Sequence, residues 1–350
     1  MSETTSGPEL QSLEKDRGFF GHPKGLAVLF FAEMWERFSF YGMRALLVLY
    51  LTQHFLFSDS EAQGLYAAYA SLVYLMPIIG GFIADRYLGA RRAVVIGAVF
   101  LTFGHCLMAF EGSGSQQFIS VDDARFEVVT EGRGENVKPF LKVDESLVPI
   151  RFSGEGIALG EQVAGLPDLI AVGSYESIVV QQELYVQILF AALSLIIVGV
   201  GFLKANISSI VGTLYEPNDS RRDPGFTIFY MGINLGSVLA TFFCGWLGIA
   251  YGWNYGFGLA GIGMALGLIT FVFGTPLLRG RGEAPLTLKG GAVAATWVGG
   301  ILSLAPIWFL VQRDEIVSQV LGITAPALLA ALIVYAVISF KGSERTRMIV

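Results

Sequence analysis

The sequence predicts an all-α polytopic membrane protein with a β-rich or irregular insert outside the membrane. Three observations carry that prediction. Hydrophobic residues make up 53% of the 350, charged residues only 15%, and there are 43 glycines, small residues that let helices approach closely in lipid. Eight apolar stretches are each long enough to cross a bilayer. The charge is segregated: the chain carries −6 at pH 7, yet residues 111–183 alone hold thirteen acids against five bases. The acidity therefore belongs to one polar segment and points to neither nucleic acid nor a basic partner.

Residues 1–25 read as a cytoplasmic tail. They are no signal peptide, because the apolar run that follows is too long and too charged for one. Three spans fill 26–110, near 26–52, 62–84 and 92–110. The insert, 111–183, comes next. Within it Gln117–Val121 and Arg125–Val129 alternate with a period of two, and polar breaks containing glycine separate them, which predicts strands. Three further spans fill 184–277, near 184–211, 226–250 and 253–277. A pair near 288–311 and 318–340 makes up 288–340. Residues 341–350 read as a basic loop entering another apolar segment, the start of a missing C-terminal half, so the chain is expected to be the front part of a longer protein.

Lysine and arginine orient the spans. Lys15, Arg17 and Lys24 precede the first; Arg86, Arg91 and Arg92 separate the second and third; Arg221 and Arg222 separate the fourth and fifth. Arg279, Arg281 and Lys289 separate the sixth and seventh, and Lys341, Arg345 and Arg347 follow the eighth. Arg313 is the exception on the other side. The positive-inside rule then places the N-terminus and the basic loops in the cytoplasm and the insert outside. Cys106 and Cys244 lie in apolar stretches and read as small buried hydrophobes, and His22, His54 and His105 lack ligand spacing. No disulfide framework, metal site or cofactor is expected, and no covalent-catalysis triad marks an enzyme.

The first span is the most informative. It carries Glu33, Glu36, Arg37 and Arg44 within three helical turns. At 100° per residue these and Tyr41 share one side, with Met34, Trp35, Leu46 and Leu49 largely elsewhere. Each charge at the bilayer centre costs about 2.5–3.5 kcal/mol on insertion scales, so four approach roughly 10 kcal/mol. Such a stripe must face protein or water inside the membrane. Lys204, in the apolar fourth span, likewise needs a counter-charge or a wet cavity, and Glu33 or Glu36 is the evident partner. A buried carboxylate beside a cation keeps its charge. Occupy that cation with a substrate carboxylate, and desolvation drives the carboxyl group toward its protonated form. The alternative for Glu33 and Arg37 is an i,i+4 pair that only neutralises itself. Gly232 and Gly236, four apart, read as close-packing positions.

Four blocks point to one family. Glu33-x-x-Glu36-Arg37-Phe38-x-Phe40-Tyr41-Gly42 resembles the first-helix signature of the proton-dependent oligopeptide transporters of the major facilitator superfamily. Gly81-Phe-Ile-Ala-Asp85-Arg86-Tyr-Leu-Gly89-Ala-Arg91-Arg92 resembles the superfamily's loop motif between helices two and three. Gly199-Val-Gly201-Phe-Leu-Lys204-Ala205-Asn206-Ile-Ser resembles the fourth helix, and the run from Arg221 through Phe229, Tyr230, Asn234 and Gly236 the fifth. The resemblance covers roughly 25–110 and 184–275 but not the insert. It implies an N-terminal six-helix major-facilitator bundle of two inverted three-helix repeats plus two extra transmembrane helices, multi-pass in a bacterial inner (plasma) membrane.

The resemblance also implies roles. Glu33, Glu36, Arg37 and Lys204 would handle the proton and gating. Arg37, Tyr41, Lys204, Asn234 and Tyr69 would contact a di- or tripeptide, Arg37 and Lys204 meeting its carboxylate. For Tyr69 a packing role stays open. Gly81, Asp85, Arg86, Gly89, Arg91 and Arg92 would form a conformational loop, with positive-inside anchoring as the alternative. Partners would be protons, the peptide, the lipid bilayer and a second six-helix bundle of the same protein. The chain departs from the family at Phe40, where tyrosine is usual, at Ala205, where many members have proline, and at Ala67, where animal members have histidine. His105 reads as packed or hydrogen-bonded. Two other readings remain: a related carrier of nitrate, amino acids or another small anion, and a membrane sensor or scaffold whose insert binds a ligand.

Overall fold

The computed structural model describes residues 16–122, 124–283 and 290–339. The expectations for residues 1–15, Lys289 and 341–350 lie outside the described residues. Eight long helices fall on the predicted spans: α1 Lys24–Gln53, α2 Asp59–Ile83, α3 Ala90–Met108, α4 Glu183–Thr213, α5 Arg222–Ala250, α6 Trp253–Gly274, α7 Gly290–Val311 and α8 Asp314–Ser339. Seven of the described helices are long and apolar enough to cross a membrane. The eighth, α1, is long enough at 30 residues but carries the charge stripe. This is a polytopic helical membrane protein.

α1 packs along α5 and α6; α4 packs along α3 and α2; α3 also touches α6. Exchanging α1–α3 with α4–α6 converts the α1–α5 pairing into α4–α2 and α1–α6 into α4–α3. The six helices thus pack as two related triplets. Small residues set the spacing. A Cβ on Gly199 of α4 would stand 2.8 Å from the Gly97 carbonyl oxygen of α3. On α5, Gly236 leaves no room for a Cβ against the Met34 carbonyl of α1, directly beside Glu33. α7 leans on α4 and α2, and α8 on α2.

The link from α2 to α3 is a π-turn, Ala84–Leu88, closed by the Gly89 amide donating to the Ala84 carbonyl oxygen (2.8 Å). Gly89 has φ 78°, a conformation that a side chain would strain. This gives the glycine of the loop motif a structural reason.

Apart from a short 3₁₀ turn at Gly134–Asn136, the regular structure described in the insert is β: β1 Gln116–Val121, β2 Ala124–Glu131, β3 Lys138–Val143, β4 Ser146–Ser153, β5 Gly156–Leu159, β6 Leu169–Ala171 and β7 Glu176–Val180. The strands are antiparallel in the order β6-β5-β4-β3-β2-β1-β7. β6 and β7 lie at opposite ends of that order, yet only residues 172–175 join them. Flat, six strand spacings would separate them by about 29 Å. Five Cα steps reach at most about 19 Å. The sheet must therefore curl toward closure. β4 makes the corner, its first half pairing with β3 and its second half with β5. Ile119, Val128, Leu141, Ile150, Ile157 and Ile170 converge inside as one apolar core.

The module is fastened to one end of the bundle. The Gln53 side chain at the end of α1 donates to the Gly134 carbonyl oxygen (3.1 Å) and accepts from the Gly134 amide (2.8 Å). The Ser115 amide donates to the His54 carbonyl oxygen, the Gln181 side chain to the Phe55 carbonyl oxygen, and the Asn254 amide to the Glu111 carboxylate.

Candidate functional site

The predicted charges of α1 form a compact buried cluster. Arg37 Nε lies 3.1 Å from Glu33 Oε1 and also hydrogen-bonds Glu36 Oε2. Glu33, Glu36 and Arg37 are 3%, 1% and 5% exposed, so water barely reaches them. The i,i+4 pair is therefore made, but it is not self-sufficient: one guanidinium serves two carboxylates. Glu33 Oε2, Glu36 Oε1 and Arg37 Nη2 have no hydrogen-bond partner among the described residues. Three polar atoms of one buried cluster are thus left without a hydrogen bond among the described residues, and unmade bonds are costly where water does not reach.

Lys204 is placed differently from the expectation. It forms no ion pair with Glu33 or Glu36 among the described residues, although each carboxylate keeps one oxygen without a hydrogen-bond partner there. Its ammonium instead lies 4.3 Å from the centre of the Tyr74 ring on α2. It is half-buried and within electrostatic range of Arg37, Glu36 and Glu33. A cation resting on a ring face is easily redirected to an incoming carboxylate.

The remaining predicted residues split into a buried part and an open rim. Tyr69 is 1% exposed; it lies within electrostatic range of Glu36 and Arg37, and its hydroxyl lacks a partner among the described residues. It packs, and it brings a free phenol to the cluster. Tyr41 is half-buried, with the exposed Arg44 guanidinium 6.0 Å from its ring and 5.7 Å from the Tyr66 ring. Phe40 packs under Arg37 at 5.3 Å. Tyr41, Ser237 and Thr241 line a shallow open hollow between α1 and α5. Asn234 is exposed on α5, and its amide donates to the Tyr230 carbonyl oxygen of its own helix (3.2 Å), so it is not tied to the cluster.

At the basic end, Gly81 packs near Ala205 of α4, and Asp85, Arg86 and Arg92 are exposed without ion pairs among the described residues. Arg91 is the joined member: its amide donates to the Gly282 carbonyl oxygen (2.8 Å) and its guanidinium pairs with Glu283. The loop motif is thereby clasped to the segment after α6. The fold corrects one further expectation: Cys244 is buried, but Cys106 is exposed on the bundle surface. His105 is packed and not hydrogen-bonded, both ring nitrogens lacking partners among the described residues.

The segment before α1 is docked at the same end. Asp16 accepts from the Gly18 and Lys24 amides and lies 3.7 Å from Arg279. His22 Nδ1 is 2.9 Å from the Tyr215 hydroxyl. Burial and the nearby Arg221 push the His22 imidazole below its usual 6.5, against the opposing pull of Asp219, and burial pushes Tyr215 up to about 12. Since the docked form holds histidine neutral, docking is at full strength above about 6.5 and weakens as pH falls from there through the lower docked value. Amide hydrogen exchange of residues 18–24, corrected for intrinsic rates, is expected to show less protection at pH 5 than at pH 7.5. Equal protection would contradict this role for His22.

Sequence reasoning missed Tyr74, Tyr66 and Glu283 as partners of Lys204, Arg44 and Arg91. Each contact joins different helices or a helix to a distant loop, and helical periodicity carries no such information. It also missed Ser39, a fully buried hydroxyl on α1 without a partner among the described residues.

The fold and this cluster can be compared with known proteins. The POT family model matches residues 91–289. An uncharacterized transporter of Bacillus subtilis (strain 168), YclF, is 34% identical over 94% of this chain and 54% of its own length. The peptide transporter YePEPT of Yersinia enterocolitica is 31% identical over 92% of this chain and 51% of its own. A solved structure described as peptide transporter POT in complex with sulfate superposes with a TM-score of 0.63 at 33% identity, covering 98% of this chain and 59% of that one. The chain thus spans about half the length of the curated relatives it matches. With more than half of its residues in the family match and such a relative aligned along nearly all of it, the chain belongs to the POT family.

Proposed function

We propose that the protein is a proton-coupled symporter that imports di- or tripeptides by alternating access, and that this chain supplies one wall of its central cavity. It would sit in a bacterial inner membrane, N-terminus and basic loops in the cytoplasm, insert 111–183 outside. In this reading α1–α6 are the first major-facilitator bundle, α7 and α8 are linker helices, and a second six-helix bundle closes the cavity. The observation that carries the reading is the buried Glu33–Arg37–Glu36 cluster, with its unsatisfied oxygens, beside a half-free Lys204. Family membership, and relatives described as peptide transporters, support the substrate class.

The mechanism follows from charge balance. Two carboxylates, Arg37 and Lys204 sum to zero. A peptide carboxylate arriving at Lys204 and Arg37 adds one negative charge in a buried place, where an uncompensated charge costs several kcal/mol. Protonating Glu33 or Glu36 removes it. Substrate and proton therefore enter together, one proton per carboxylate at this site. Release toward the cytoplasm lets the carboxyl group return to Arg37 and lose its proton. A 100 mV potential adds about 2.3 kcal/mol per proton charge moved. Tyr41, Tyr69 and Asn234 would contact the rest of the peptide, and the Asp85–Arg92 loop, held by Arg91 to Glu283, would tie helix ends in one state and release them in the other.

Glu33→Gln or Glu36→Gln in the full transporter is expected to spare dipeptide exchange at equal pH while blocking accumulation under a pH gradient in proteoliposomes. If both variants still concentrate peptide, the coupling carboxyl group is elsewhere. Competition by free amino acids or nitrate equal to that by dipeptide would assign a different anion as substrate.

A further inference from the structure

The cleft between α3, α6 and α7 shares Arg91 and Arg92 with the loop motif, but its apolar walls have no part in the mechanism above. It has a volume of about 390 Å³ and lies at the ends of these helices that carry the basic residues. Arg91 and Arg92, in the first turn of α3, stand at its mouth. Val95, Val272, Val293 and Trp297 form its walls, and Val272 is 43% exposed. Arg91 pairs with Glu283, whose side chain is 63% exposed, and Arg92 is exposed without an ion pair among the described residues. A cationic mouth over an apolar trough, bounded by three membrane-spanning helices, has the polarity of one end of a phospholipid.

We propose that this cleft binds one anionic glycerophospholipid of the leaflet at the basic end of the bundle. Its phosphate meets Arg92, with Arg91 beside it, and an acyl chain lies along Val95, Val272, Val293 and Trp297. Charge complementarity selects the headgroup: a cation at the bilayer surface attracts anionic lipid even without a shaped site. The apolar walls select a lipid over a free anion, because the phosphate alone would leave the trough empty. A second cleft, of about 310 Å³, flanks the other side of α7 between α2 and α4. It is lined by Met76, Ile79, Phe202 and glycines and has no basic residue, so it provides an internal control. The consequence is that lipid would brace α7 against α3 and α6 on the face where the loop motif ends.

Native mass spectrometry of the full-length transporter, given equal phosphatidylglycerol and phosphatidylcholine, tests this. One phosphatidylglycerol is expected to be retained over phosphatidylcholine. Arg92→Gln is expected to lower that occupancy about 10-fold, and Trp297→Ala to lower retention while the protein stays folded. Gly299→Leu, which fills the control cleft, is expected to leave the preference intact. Equal retention of the two lipids, wild-type retention by Arg92→Gln, or displacement of the lipid by millimolar inorganic phosphate would each overturn the proposal.

Discussion

Lys204→Ala is expected to lower pH-driven dipeptide uptake by the full transporter about 100-fold. Lys204 is the member of the cluster that makes no ion pair among the described residues: Arg37 pairs with both glutamates, while Lys204 rests on Tyr74. A hydrogen bond to a charged group is worth about 1.5–3 kcal/mol, and the upper end of that range corresponds to roughly two decades of affinity. Removing the ammonium also breaks charge balance, so the remaining cluster resists a further anion. Tyr74→Phe keeps the ring and should leave uptake near the wild-type level, which separates loss of the cation from general damage to α2 and α4. Proteoliposome uptake at an imposed pH gradient decides the matter. Unchanged uptake by Lys204→Ala would remove α4 from the mechanism.

Arg37→Leu has the largest expected effect on the fold. It leaves Glu33 and Glu36 facing each other at 3% and 1% exposure with their shared guanidinium gone. Breaking a buried ion pair by removing one partner costs about 3–5 kcal/mol, because the survivor stays desolvated and uncompensated. Thermal unfolding in detergent should therefore show a large loss. Adding Glu33→Gln and Glu36→Gln to Arg37→Leu should restore most of the stability, since no fully buried charge remains on α1, without restoring transport. If the single variant is as stable as the wild type, the cluster is already protonated or hydrated at rest.

Both outcomes depend on contacts that were legible in the sequence to different degrees. Hydropathy located the helices because lipid requires each crossing to be a continuous apolar helix. α1 was read as a span from its apolar length, and the charges on one face marked it as the functional helix. The strands of the insert were visible where alternation was clean, at Gln117–Val121 and Arg125–Val129. The curl of the sheet was not, since it follows from β7 returning to β1, a long-range pairing that no local pattern encodes. Glu33, Glu36 and Arg37 were brought together by helical geometry alone. The contact of Lys204 with Tyr74 was not legible, because sequence shows which charges exist but not which ring of a neighbouring helix lies beside them. Cys106 was placed inside for its apolar neighbours, but in a membrane protein an apolar surface is solvated by lipid and exposure no longer tracks polarity.

The central claim is that proton and peptide carboxylate are linked through one buried cluster. Linkage is reciprocal: if protonating Glu33 or Glu36 favours peptide binding, then peptide binding must draw protons from solution. Adding dipeptide to the full transporter in weakly buffered detergent near neutral pH, while recording bulk pH, measures this directly. The expected result is net uptake of about one proton per peptide bound, abolished in the Glu33→Gln, Glu36→Gln double variant with peptide binding retained. Peptide binding with no proton uptake, or uptake unchanged in the double variant, would contradict the account.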